Sequence, residues 1–443
     1  MTYIYIIIIL TILLIYFFYI EKDILSPVIL SLLSFLGAFI LAFIGTCTWN
    51  NQKELSMQLV IIFLIGILSF TLGVKAASKI YKNRISNKSL KVKEIKIENW
   101  KIVLSCIFLL TTIVLMIAEI KRVCNYFGYN SNNISSLLSY YRSKGVLYAN
   151  EISSKTVEIN FIVKQMHKTS VVIGVLFIYA FCNNLFINKK NYFLLIPILL
   201  SMMESLLTSG RSLFMRLIMI FVLGALFFYL KKKQKVNMKT ILFLTIILVS
   251  ILLLFYLMLP LLGRKTNIGF IKYISFYFGC GIPSFNLFLS NIPNHIGYIG
   301  EETFTGLYQL LNKFHILNFE RIASYGWKSF DGMNSNIYTS LKAYYFDFGY
   351  IGVFILQFIF GLLATLYYNY SKNNKNILFL VIYFYYIYIF VEQIRAEQFY
   401  GLLSSTTVSH LLIIIVMYYF LYKFNKKNNK ELVKKVRALI KKE

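Results

Sequence analysis

Apolar runs of roughly 18 or more residues recur along the whole chain, and a run of that length crosses a bilayer core as a helix. They predict about eleven spans, at residues 3–20, 27–49, 56–74, 102–120, 169–187, 192–208, 212–230, 240–262, 346–368, 376–392 and 404–422. The first run has no basic leader and no small-residue cleavage site, so it reads as a span rather than a removed signal peptide. Two polar stretches, 121–168 and 263–345, are too long to be simple connectors. The second carries Gly, aromatic and paired charged residues rather than low-complexity sequence, which favours order. Inside it, residues 270–290 are apolar but broken by Gly279, Gly281 and Pro283, the pattern of an interfacial or re-entrant helix. No internal repeat is visible, which counts against a transporter built from inverted halves.

Composition sharpens this picture. The 443 residues are 58% hydrophobic and 14% charged, against about 25% charged in soluble proteins, so a water-exposed globule is excluded. The net charge of +28 sits between apolar segments, which points to orientation and attraction to anionic lipid rather than to nucleic acid. Basic loops are retained on the cytoplasmic side, so the Lys-rich linker 75–101 places the N-terminus outside and the basic tail 423–443 inside. Under that topology the inner loops hold 28 basic and 6 acidic residues, a net of +22, while the rest of the chain holds 18 and 12. The expected fold is all-α and polytopic, one integral membrane domain over residues 1–443, with 121–168 and 263–345 external. Cys47, Cys106, Cys124, Cys182 and Cys280 show no metal-ligand spacing, and most lie in apolar segments as small hydrophobes.

Charge at bilayer depth costs about 2.5–3.5 kcal/mol per group on insertion scales, so charged residues near the spans are the candidates for chemistry. Glu204 lies in such a run, with Arg211 and Arg216 following across a Ser209-Gly210 break that places Arg211 at an outer tip. Mutual neutralisation of Glu204 with either arginine is the plain alternative. Arg264 and Lys265, where the eighth span ends, suit a phosphate, as does snorkelling to the interface. Arg395, on the last outer hairpin, lies at a similar depth, with Glu392 and Glu397 as local partners. Arg142 and Arg321, in the two outer loops, are further substrate-binding candidates, and His295 and His315 are candidate bases. His410 lies inside a span and reads as a packing residue. The stretch 334–352 holds Asn336, Tyr338 and Asp347, one of three aspartates in the chain. Asp347 at the start of a span also fits helix-dipole compensation, with Gly349 and Gly352 permitting close helix packing. There is no D-x-D pair, no H-E-x-x-H and no phosphate loop, so no metal or cofactor is expected.

The T-S-G-R-S turn at 208–212 and N-I-Y-T…Y-Y-F-D-F-G-Y-I-G at 336–352 resemble the Wzy-type oligosaccharide repeat unit polymerases of bacterial O-antigen and capsule pathways. The architecture resembles them over nearly the whole chain, the residues closely over these two stretches. The resemblance implies a GT-C-like fold, that of membrane glycosyltransferases of the C type, in the bacterial plasma membrane. It implies transfer of an undecaprenyl-pyrophosphate-linked oligosaccharide onto the next lipid-linked repeat unit at the outer face. A chain-length regulator and a flippase of the same pathway are the implied protein partners. A glycosyl pyrophosphate carries its own good leaving group, so the chemistry asks for a cationic clamp and a base. Arg211 and Arg264 are the expected clamp, with Arg395, Lys265, Arg142, Arg321 and Glu204 around the substrate. Asp347 is the expected base or acceptor-orienting group, with His295 as a lesser base and Asn336 and Tyr338 positioning the sugar. The rival readings are a lipid-linked glycan ligase, a flippase of the same unit, and a non-enzymatic assembly scaffold.

Overall fold

The computed structural model describes residues 1–21, 23–51, 54–82, 94–143, 159–187, 189, 191–208, 210–233, 238–260, 268–293, 297–319, 327–374 and 376–424. In chain order the helices are α1 Thr2–Glu21, α2 Pro27–Thr48, α3 Met57–Lys82, α4 Asn99–Tyr126, α5 Ile134–Tyr140, α6 Phe161–Phe186, α7 Leu195–Leu206 and α8 Ser212–Lys233. There follow α9 Met238–Leu257, α10 Phe270–Gly279, α11 Gly281–Leu289, α12 Thr305–Lys313, α13 Ser340–Asn373, α14 Ile377–Tyr386, α15 Tyr388–Glu392 and α16 Ser405–Tyr418. Among the described residues eight helices are long and apolar enough to cross a membrane: α1, α2, α3, α4, α6, α8, α13 and the helical run from Ser405 to Lys423. The chain is an all-α polytopic membrane protein. Of the other expected spans, 192–208 and 376–392 fall on shorter apolar helices, and 240–262 falls on α9.

The chain divides into two compact units. Unit 1 comprises residues 1–90, 248–257 and 266–408; unit 2 comprises 91–247, 258–265 and 409–443. In unit 1, α3 and α13 cross at glycines: a Cβ on Gly73 would meet the Phe358 carbonyl at 2.2 Å, and one on Gly361 the Phe70 carbonyl at 2.2 Å. Helices in lipid gain little from apolar burial against one another, so such close backbone approach supplies the dispersion contact that holds them. One end of unit 1 is tied by Asp23, which accepts from Lys372 and from Tyr368 Oη, and by Asn373 on Tyr81 Oη. The opposite end joins Asn51 to Tyr3 Oη and Ser56 to Asn286. In unit 2, buried Lys101 caps the end of the last helix, donating to the carbonyls of Phe420, Leu421 and Phe424, which a helix leaves without partners. These ties join ends that alternate spanning places on one side.

The stretch 263–345 is ordered where it is described. The break at 270–290 separates α10 from α11, and its glycines serve close approach: a Cβ on Gly279 would lie 2.6 Å from the Ala42 nitrogen, and one on Gly281 2.5 Å from the Ile394 carbonyl. A short hairpin, β1 Lys328–Phe330 and β2 Met333–Ser335, turns at Asp331-Gly332, both at positive φ. Phe330 packs with buried Trp49 and Cys280. In the stretch 121–168, α5 lays Leu137 and Leu138 against Met116, Ile120 and Cys124 of α4.

Candidate functional site

Each unit gathers charge at one end. In unit 1 the gathering point is the start of α13. Ser340 to Phe348 forms a first helical segment, and Gly349, at φ 64° and ψ −154°, breaks it before the membrane helix continues. That backbone conformation is open only to glycine. A Cβ on Gly349 would meet nothing within 4 Å, so Gly349 turns the chain, and Gly352 faces Phe348 and Tyr344 of its own helix. The close helix packing expected of these two glycines is carried instead by Gly73 and Gly361. Asp347 therefore sits in the last turn of the first segment rather than at the start of a span. The dipole compensation considered from the sequence gives way to another partner: the Thr303 backbone N–H donates to Asp347 Oδ2 at 2.7 Å.

Lys342, one and a half turns earlier, is 4% exposed, and its Nζ is 3.0 Å from Glu302 Oε2. The ammonium lies over the rings of Phe288, Tyr338 and Phe346 at 4.8, 5.5 and 5.1 Å, a desolvated cation–π cage. Asp347 lies within electrostatic reach of Lys342. Two consecutive residues, Glu302 and Thr303, thus clamp the segment before α12 onto the start of α13. Tyr338 is buried as a wall of this cage, and burial pushes its hydroxyl up to about 12. Asn336 is exposed beyond β2. Arg395 donates to Tyr277 Oη at 3.0 Å and stacks over that ring. Its neighbour Glu397 accepts from Tyr400 N, Gly401 N and Tyr344 Oη, yet burial still pushes its carboxyl up to about 7. On the segment before α13, Tyr298 and Tyr308 stack on each other beside Phe319, and Trp327 is exposed.

In unit 2 the gathering point is the α7–α8 turn. The break at Ser209-Gly210 falls between helices that end at Leu206 and begin at Ser212, as the sequence indicates. Arg211 directly precedes α8, its carbonyl accepting Met215 N–H, and its side chain is 2% exposed. Glu204, in the last turn of α7, is fully buried, and its Oε1 is 2.6 Å from Nδ1 of His167 on α6. Lys168, His167 and Arg216 are within electrostatic reach of His410 on α16, and Gln165 of α6 bonds Ser409. His167 went unnoticed in the sequence because it lies ahead of the predicted span 169–187; α6 in fact starts at Phe161. Lys342 went unnoticed inside a motif read for its aspartate. Arg142 is half-buried in the turn that follows α5.

Arg264, Lys265, Arg321 and His295 lie outside the described residues, as does Ser209. Among the described residues no three His, Cys, Asp or Glu side chains are grouped to hold a metal ion. The chain matches no family model, no curated protein and no solved structure.

Proposed function

We propose that this chain polymerises undecaprenyl-pyrophosphate-linked oligosaccharide repeat units, as Wzy-type enzymes do, at the outer face of a bacterial plasma membrane. The observation that carries the reading is the buried arginine at the α7–α8 turn. Arg211 is 2% exposed where apolar α7 gives way to α8, and Arg216 follows it on α8. A guanidinium placed there presents a planar pair of N–H donors that suits phosphate oxygens, the role this reading gives it. A pyrophosphate accepts two parallel N–H bonds from arginine and gathers charge as the glycosyl bond breaks, so a clamp of this kind lowers the barrier without an acid.

In this reading the N-terminus is outside and the C-terminus inside, as the distribution of basic loops supports. The sequence resemblance adds Arg264 and Lys265 to the residues proposed to bind pyrophosphate. Asp347 orients the acceptor rather than abstracting its proton, because its Oδ2 already accepts the Thr303 backbone N–H. The aromatic residues of the outer segment, Tyr298, Tyr308 and Trp327, offer faces on which sugars stack. The glycan profile of cells lacking the protein tests the assignment. Lipid capped by single repeat units supports lost polymerisation; a missing outer-face intermediate indicates a flippase, and intact polymer that fails to reach its final acceptor indicates a ligase.

A further inference from the structure

We propose that the groove between α3 and α13 binds an anionic glycerophospholipid, with an acyl chain laid along its apolar walls and the headgroup phosphate between Lys75 and Lys79. Leu72, Lys75, Ala76 and Lys79 of α3 and Phe354 and Phe358 of α13 line an opening of about 540 Å³ in unit 1. Small-molecule sites range over roughly 300–1,000 Å³, so the space is large enough to be one. It opens beside the glycine crossing of the two helices. Gly73 sits against the Phe358 carbonyl, while Leu72 and Phe354 nearby are about half exposed. Ala76, one turn beyond Leu72, is too small to fill the gap.

The walls pass from apolar to cationic along the groove. Leu72, Lys75, Ala76 and Lys79 recur at three- and four-residue spacing, so they share one face of α3. Leu72 and Lys79 stand two turns apart, about 10 Å along the axis. Lys75 Nζ lies over the rings of Tyr16 and Phe17 at 5.0 and 5.8 Å. Those ring faces hold the ammonium in place without supplying a counter-charge. Among the described residues neither lysine pairs with a carboxylate. Two ammoniums one turn apart, near the end of a helix that runs to Lys82, suit a lipid phosphate at headgroup depth. A zwitterionic headgroup would bring its own cation toward them, and the apolar helix of a second copy would leave them without an anion. Net negative charge on the headgroup therefore decides the preference.

The test places the full chain in nanodiscs of phosphatidylcholine and phosphatidylglycerol with the same acyl chains, and native mass spectrometry counts the lipids retained on release. The wild type should retain phosphatidylglycerol over phosphatidylcholine by about twenty-five-fold, about five-fold for each lysine. Lys75→Gln and Lys79→Gln should each lose about five-fold of that preference, and the double variant should retain the two lipids equally. Both positions are exposed, so these variants should fold, which an unchanged unfolding midpoint checks. Ala76→Leu fills the groove and keeps the charges, so it should lower retention of both lipids. Lys96→Gln, at an exposed lysine ahead of α4, should keep the wild-type preference. Equal retention of the two lipids by the wild type, or an undiminished preference in the double Gln variant, overturns the site. Undiminished retention by folded Ala76→Leu also overturns it, since lipid would then be gathered by surface charge without the groove. A dimer free of bound lipid would mean that a second copy fills the groove, and overturns it too. Each of these outcomes leaves the polymerase reading untouched.

Discussion

In unit 1 the carboxylates have their donors supplied by the protein itself. Glu302 takes Lys342, Asp347 takes the Thr303 N–H, and Glu397 takes two backbone N–H groups and a tyrosine hydroxyl. In unit 2, Arg211 is buried just before α8, Glu204 is buried against His167, and Lys168, His167 and Arg216 lie within electrostatic reach of His410. The first arrangement is internally balanced and fixes the segment before α12 to the start of α13. The second gathers cationic and imidazole side chains, and on the proposed function it is the one that meets the lipid-linked pyrophosphate. The difference between such a latch and such a clamp states which variants should lose activity and which should lose only rigidity.

The largest effect is expected at the clamp. Arg211→Ala should cost about 10²–10³ in polymerisation rate, or about 3–4 kcal/mol of transition-state stabilisation, at normal protein abundance. Arg211→Lys should rescue poorly, because an ammonium lacks the two-pronged donor. Rates measured on equal amounts of folded protein decide it; near-normal turnover by Arg211→Ala would place the clamp elsewhere. At the latch, Lys342→Met leaves Glu302 without its cation and should destabilise unit 1 by about 2–4 kcal/mol, since removing one partner of a buried pair strands the other. Faster amide exchange over 297–304, with unit 2 unchanged, is the expected signature.

Smaller effects follow from the turn and from the aspartate. Gly349→Ala forces a side chain into a positive-φ backbone and should cost about 1–3 kcal/mol, read as a lower unfolding midpoint in detergent. Unaltered stability would mean that the break before the membrane helix is not held. Asp347→Asn still accepts the Thr303 N–H through its amide oxygen, so activity should fall by less than about ten-fold, whereas a general base would lose about 10²–10⁴. A loss of that larger size would return proton abstraction to Asp347 and erase the contrast between the two units.

How much of this was legible beforehand depended on period and depth. Long apolar runs announced the helices, and the Ser209-Gly210 break announced the α7–α8 turn. Helix ends were less legible, because α6 and α13 continue past their apolar runs into polar sequence, and that is where His167 and Lys342 lie. The role of Gly349 was hidden for a different reason: a glycine needed for its backbone angle and one needed for close packing look alike in sequence. Gly73 and Gly361 were equally silent, since their partners are backbone atoms of another helix. The Glu204–His167 and Glu302–Lys342 pairs join residues about 40 apart through tertiary packing, which no local spacing encodes.

The central claim is that the cations at the α7–α8 turn carry the transfer of lipid-linked glycan. Purified protein, supplied with synthetic undecaprenyl-pyrophosphate-linked repeat units, is the direct test. The account predicts a ladder of polymer from the wild type and from Asp347→Asn, and single units only from folded Arg211→Ala. A full ladder from Arg211→Ala, or no chain extension by the wild type, would contradict it.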